Sequence, residues 1–287
     1  MELIQIHEHP KLDQPILIAG FDGWPNAGKI STDVLDFLKN NLPTKKFAEI
    51  DPDPFCHFAH MRPCAEISDG KINKLCFCPY EFFYVQGTSS PDLILFCGSE
   101  PDLQWKRFTQ SFFNLATSVA VKLLIIIGGT YDSVSHNHEP IVSVISTSNN
   151  LRASLAGEGV TISNYQGPIS IHTMLFMEAE RRGIPCLSFW GHAPQYLQSN
   201  NLSVIYKILT LVDRIGEINL DIGSLHLQAM ELRKQINIIV ENNPELKGFI
   251  KEFERGVQHR KNETPSHDKI ININQFLKKH HPPPSPK

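Results

Sequence analysis

Apolar positions fall into two kinds of run that alternate along the chain. Short continuous runs stand at residues 16–21, 93–97, 123–127 and 184–190, as expected of strands buried on both faces. Between them the apolar residues step by three or four. Ile30, Val34, Leu35, Phe37 and Leu38 form one stripe, and Trp105, Phe108, Phe112, Leu115 and Val119 another. Both spacings predict helices with one buried face. Further helices are expected over 170–182, closed by Gly183, and over 202–215. Weaker patterns predict strands at 46–50 and 141–147, a β-hairpin region over 66–85 turning at Asp69-Gly70, and loop with a short helix over 148–163.

This alternation from residue 16 to 215 predicts an α/β protein, a three-layer α/β/α body with a mostly parallel sheet. Beyond residue 222 the pattern is helical alone. Leu225, Ala229, Leu232, Ile236, Ile239 and Val240 space as a seam, Pro244 interrupts it, and Leu246, Phe249, Ile250 and Phe253 continue it. The seam fits helices packed on the body, or a subunit interface with Leu225, Leu232, Ile236 and Ile239 as its contacts. The expected organisation is a body over 1–215, a helical segment over 216–258 and a polar, proline-rich, disordered tail over 259–287, within which 270–277 reads as a docking segment.

Composition narrows the classes of function. The 287 residues are 41% hydrophobic with a formal charge of −3, an ordinary balance for a soluble globular protein. No basic stripe marks a nucleic-acid surface, and no apolar run approaches the roughly 20 residues of a membrane helix. The first residues, MELIQIHEHPKLDQ, lack a basic start and a long apolar core, so a cytoplasmic protein is expected. Six cysteines, at 56, 64, 76, 78, 97 and 186, do not follow paired zinc-ligand spacing. They are expected as small buried hydrophobes, with no metal and no cofactor.

The turn after the first strand reads GFDGWPNAGK. Gly23 to Lys29 supplies the glycines and lysine of a Walker A loop, but Ile30 stands where the magnesium-binding hydroxyl belongs, and Ser31 is one position late. Pro25 removes one amide donor. A tight strand-to-helix turn with Asn26 capping the helix is the expectation. The loop YDSVSHNHEP places Tyr131, Asp132, His136, His138 and Glu139 after a buried strand, at the sheet edge where α/β proteins bind ligands. The strand ends GFDG, GSEP, GGTY and WGHA contain no nucleophile elbow.

Taken in order, GFDGWPNAG, GSEPDLQW, IIIGGTY with its His-bearing loop closing at Pro140, YQGPISI and GIPCLSFWGHAPQYL make a chain that resembles the proteasome assembly chaperone 2 family from about residue 16 to 212. The resemblance implies a body similar in topology to nucleoside phosphorylases, self-association, and chaperone-like binding of proteasome subunits in eukaryotic and archaeal relatives. Two departures matter. Glu139 stands where the family's loop carries arginine, and the chain ends Ser285-Pro286-Lys287 without the tyrosine by which relatives dock on proteasome rings. Docking by that route is not expected.

Two functions follow as expectations. One is a non-enzymatic, homo-oligomeric binding protein with an unidentified protein partner. The other is a small-molecule enzyme or sensor for a nucleoside, nucleotide or carboxylate. Its pocket would lie at the carboxyl ends of the strands, drawn from Asp22, Gly23, Asn26, Glu100, Gly129, Tyr131, His136, Tyr165, Gly167, Trp190 and His192.

Overall fold

The computed structural model describes residues 3–87, 91–198, 201–248 and 250. The expected tail, with the docking segment 270–277, and residues Phe249 and Phe253 lie outside them. Among the described residues eleven strands and six α-helices follow one another: β1 (Ile4–Ile6), β2 (Ile16–Asp22), α1 (Ile30–Asn41), β3 (Lys45–Ile50), β4 (Cys64–Ser68), β5 (Lys71–Cys76), β6 (Tyr80–Val85), β7 (Leu93–Ser99), α2 (Trp105–Ser118), β8 (Leu123–Asp132), β9 (Val142–Ser146), α3 (Asn149–Ser154), β10 (Val160–Ile162), α4 (Ile171–Arg181), β11 (Cys186–Pro194), α5 (Leu202–Gly216) and α6 (Gly223–Glu241). One 3₁₀ turn, Ala27–Lys29, leads into α1.

Nine strands form one sheet in the order β1-β3-β6-β7-β2-β8-β11-β9-β10. Its centre, β7-β2-β8-β11, is parallel. The flanks correct the expected mostly parallel sheet. β1, β3, β6 and β7 pair antiparallel, β9 runs antiparallel to β11, and only β10 adds a further parallel pair. The link from Val85 to Leu93 is too short for a crossover helix, so β6 and β7 must reverse. A continuous apolar run records burial on both faces and leaves strand direction unrecorded.

Period-two alternation distributes the core. Ile16, Ile18, Ile125, Ile127, Leu187 and Phe189 face a layer containing α1 and α5, with Leu225 of α6 joining its core. Leu17, Ala19, Phe21, Leu124, Ile126 and Cys186 face α2 and α4 on the other side. In α6, Ile236, Ile239 and Val240 are buried against Tyr196, Leu197, Leu246 and Ile250, with Leu232 partly buried beside them. A further helical turn follows Asn243, whose Oδ1 accepts from the Glu245 and Leu246 amides.

The hairpin region divides in two. β6 joins the main sheet, whereas β4 and β5 form a separate two-stranded ribbon. It turns at Asp69 (φ 50°) and Gly70 (φ 72°), the pair of positive φ values that a two-residue primed turn needs. Cross-strand partners Ala65↔Leu75 and Ile67↔Ile72 alternate with Cys64↔Cys76, Glu66↔Lys74 and Ser68↔Lys71. Partners share a face, so one side of the ribbon is apolar and the other polar. The apolar side is uncovered: Ile67 and Ile72 are each 64% exposed and Leu75 56%.

Candidate functional site

The GFDGWPNAGK turn is held by its own groups. Asn26 Nδ2 donates to Asp22 Oδ1 (2.8 Å) and to Thr32 Oγ1 (3.0 Å), while its Oδ1 accepts from the Thr32 amide (3.1 Å). Asn26 thus reaches the first turn of α1 from beyond the 3₁₀ turn. The Gly129 amide donates to Pro25 O (2.7 Å), and Asn26 pairs with Gly129 as an isolated parallel bridge. A Cβ at Gly129 would stand 2.3 Å from the Ala27 carbonyl oxygen, so only glycine fits there. Ser31 is fully buried: its Oγ accepts from the Phe21 amide (2.9 Å) and donates to Ile127 O (2.7 Å). The amides of Asn26 and Lys29 are bonded within the turn to Gly23 O and Asn26 O. Two of the donors that a phosphate loop leaves free are therefore engaged, and Lys29 is exposed.

Beside this turn Glu100 reaches from the end of β7 to the N-terminus of α4. Its Oε1 accepts from the Ile171 amide (2.8 Å), and its backbone amide donates to Asp22 O (2.8 Å). Burial pushes its carboxyl above the usual range, against the pull of the Ile171 and Trp24 amides. Gly23 lies against it, since a Cβ there would be 3.3 Å from Glu100 Cβ. Trp24, 58% exposed, meets Trp190 edge-on at 6.4 Å between ring centroids. Under Trp190 lies His172, 4.9 Å away and also 5.7 Å from Phe21. Neither of its ring nitrogens has a hydrogen-bond partner among the described residues, and burial drives its pKa down to about 3.

His192 links the ends of three strands. Its Nδ1 is 2.7 Å from Asp132 Oδ2 and its Nε2 2.9 Å from Ser143 Oγ. A carboxylate only accepts, so Nδ1 carries the hydrogen, and in the neutral ring Nε2 accepts from the serine. The hydrogen bond to His192 holds the Asp132 carboxyl below its usual range. The order carboxylate, imidazole, hydroxyl is that of a nucleophilic triad. Ser143, however, sits inside β9 with β11 paired on one side and β10 on the other, so its strand amides serve the sheet and do not face an oxyanion.

The eleven expected pocket residues fall into separate groups. Asp22, Gly23, Asn26, Glu100 and Gly129 are gathered at the first turn, and Trp190 approaches it through Trp24. Tyr131 is exposed. Tyr165 donates to Pro168 O within its own loop (3.0 Å), against Gly167. His136 turns toward α6: Nε2 meets Asn237 Oδ1 at 3.0 Å, while Tyr196 Oη, 2.8 Å from Nδ1, also accepts from the His136 amide (2.9 Å). His136 and His192 share a cleft of about 40 Å³ with Glu139, Leu202, Leu232, Arg233 and Ile236. That is room for roughly one to three waters. Among the described residues no three His, Cys, Asp or Glu side chains stand together as a metal site. His172 and Ser143 carry no motif; His172 reads as one polar position in a helical stripe, and Ser143 lies 49 residues from His192.

Comparison with known proteins places the chain. Its fold is similar to a PAC2 family protein from Streptomyces avermitilis (21% identity, 83% of this chain and 99% of that one, TM-score 0.74). It is similar also to a Mycobacterium tuberculosis proteasome-assembly chaperone homologue (23% identity, 82% and 99%, TM-score 0.74). A third is Pyrococcus furiosus PbaB, an archaeal proteasome activator (19% identity, 82% and 97%, TM-score 0.65). No curated protein matches the chain. The model of the PAC2 family matches residues 20–240, from the end of β2 and the turn after it to nearly the end of α6, and the chain therefore belongs to the PAC2 family.

Proposed function

We propose that the chain is a cytoplasmic, non-enzymatic binding protein that acts as an assembly chaperone and works as a homo-oligomer. The observation that carries this reading is the uncovered apolar side of the β4–β5 ribbon, formed by Ala65, Ile67, Ile72 and Leu75. An isolated two-stranded ribbon is marginal in water, and clustered exposed apolar side chains mark protein contacts. We take a second copy of the chain as its occupant, in keeping with the homo-oligomer proposed. The name of one similar structure, a proteasome-assembly chaperone homologue, agrees with assembly as the task. The expected seam contacts Leu225, Leu232, Ile236 and Ile239 pack within the chain, Leu232 partly buried, whereas Leu227, Met230 and Ile238 of the same helix are exposed, so α6 supplies a second contact by that outer side. Sedimentation equilibrium tests the reading: the full chain associates at micromolar concentration, and Ile67→Asp combined with Ile72→Asp leaves a folded monomer. A monomeric wild-type chain would overturn it.

The second reading, a small-molecule enzyme, has the Asp132–His192–Ser143 array in its favour. A fluorophosphonate that labels Ser143, and fails to label the His192→Gln variant, would support it.

A further inference from the structure

Cys64 and Cys76 stand directly opposite each other at the open end of the β4–β5 ribbon. Both are free thiols; Cys64 is exposed and Cys76 half-buried. Directly opposed residues of an antiparallel pair have Cα atoms about 4.5–5.5 Å apart, inside the roughly 4.4–6.8 Å span that a disulfide bridges. As register partners their Cβ atoms leave the same side of the ribbon, the polar one, which is the arrangement a bridge between the two sulfurs needs. We propose that Cys64 and Cys76 are a reversible disulfide site that locks the ribbon and so fixes its apolar face.

The other cysteines fit the role less well. Cys56 is buried and Cys97 partly so, and burial pushes both thiols up to about 12; Cys186 is fully buried and raised further. A thiol held protonated is a poor nucleophile. Cys78 is buried beside Cys56, which makes that pair the competing bridge. The reaction is thiol–disulfide exchange with a small disulfide such as oxidised glutathione. The Cys64 thiolate attacks one glutathione sulfur, forming a mixed disulfide and releasing one glutathione thiolate. The Cys76 thiolate then attacks Cys64 Sγ and expels the second. The protein's two thiol protons pass to the two leaving thiolates, so two protein thiols are oxidised and one glutathione disulfide is reduced. Exposure of the bridge favours reduction by the reverse exchange.

The test uses the folded full chain, titrated with oxidised glutathione, alkylated and mapped by peptide mass. The expected product is an intramolecular peptide link between Cys64 and Cys76, reversed by dithiothreitol. It is lost in Cys64→Ser and Cys76→Ser and kept in Cys56→Ser. Linkage also slows proteolysis between residues 64 and 76 by at least about 10-fold, because closing the loop restricts its open forms. Cys64 and Cys76 that both remain alkylated under excess oxidant would overturn the proposal, as would a bridge confined to Cys56 and Cys78. Because this readout is covalent, it is independent of whether the ribbon's apolar face binds a second copy.

Discussion

Ser31 Oγ donates a 2.7 Å hydrogen bond to the Ile127 carbonyl, tying the first turn of α1 to the strand beside its own. The hydroxyl nearest to a Walker A position thereby serves the sheet. Replacing Ser31 with alanine leaves that carbonyl and the Phe21 amide without this partner, at a cost of about 1–3 kcal/mol. In a chain of this size the melting temperature should fall by roughly 2–4 °C per kcal/mol.

Lys29 supplies the contrast. It is exposed, with φ 59°, and Lys29→Ala should change stability by no more than about 0.5 kcal/mol. Millimolar magnesium-ATP should shift the melting temperature of neither the wild type nor this variant. A shift in the wild type that Lys29→Ala removes would restore the phosphate-loop reading.

His172 makes the fold acid-sensitive. Its pKa is about 3 in the folded chain and about 6.5 when unfolded. Above pH 6.5 the ring is neutral in both states and its contribution to stability is complete. As pH falls from 6.5 toward 3 the unfolded chain takes the proton first, so folding weakens, by roughly 2 kcal/mol at pH 5. Urea midpoints measured against pH should show this slope, and His172→Leu should flatten it between pH 6.5 and 5. An unchanged slope in the variant would place the acid sensitivity elsewhere.

α6 is fastened through polar contacts as well as its apolar seam. His136→Ala removes the bridge between Tyr196 and Asn237. The change should cost about 1–3 kcal/mol and speed amide exchange in Gly223–Glu241 more than in the central strands. Uniform acceleration across the chain would contradict this local role.

The sheet's centre and its helices were legible because burial on two faces and on one stripe leave different periodicities. β2, β7, β8, α1, α2, α4 and α5 follow those patterns closely. The antiparallel flank was hidden because β3 and β6 carry no mark of direction, and β1 and β10, three residues each, are too short for a period. β8 continues through Gly128 and Gly129 to Asp132, where glycine suggests a stop, because Gly129 must admit the Ala27 carbonyl. At the candidate site, Asp22 and Asn26 were legible from turn chemistry, four residues apart. The Ser143–His192 contact depends on strands 49 residues apart in sequence and left no local sign. The ribbon's apolar side was obscured because Asn73 has no register partner where the pairing shifts, so the alternation slips by one residue along β5.

The most direct test of the account is amide hydrogen exchange of the full chain at submicromolar and at high micromolar concentration. Self-association through the ribbon predicts that protection between residues 64 and 76 rises with concentration in the wild type and not in the Ile67→Asp, Ile72→Asp variant. Exchange in that segment that stays the same while the chain associates, or a chain that stays monomeric throughout, would contradict the account.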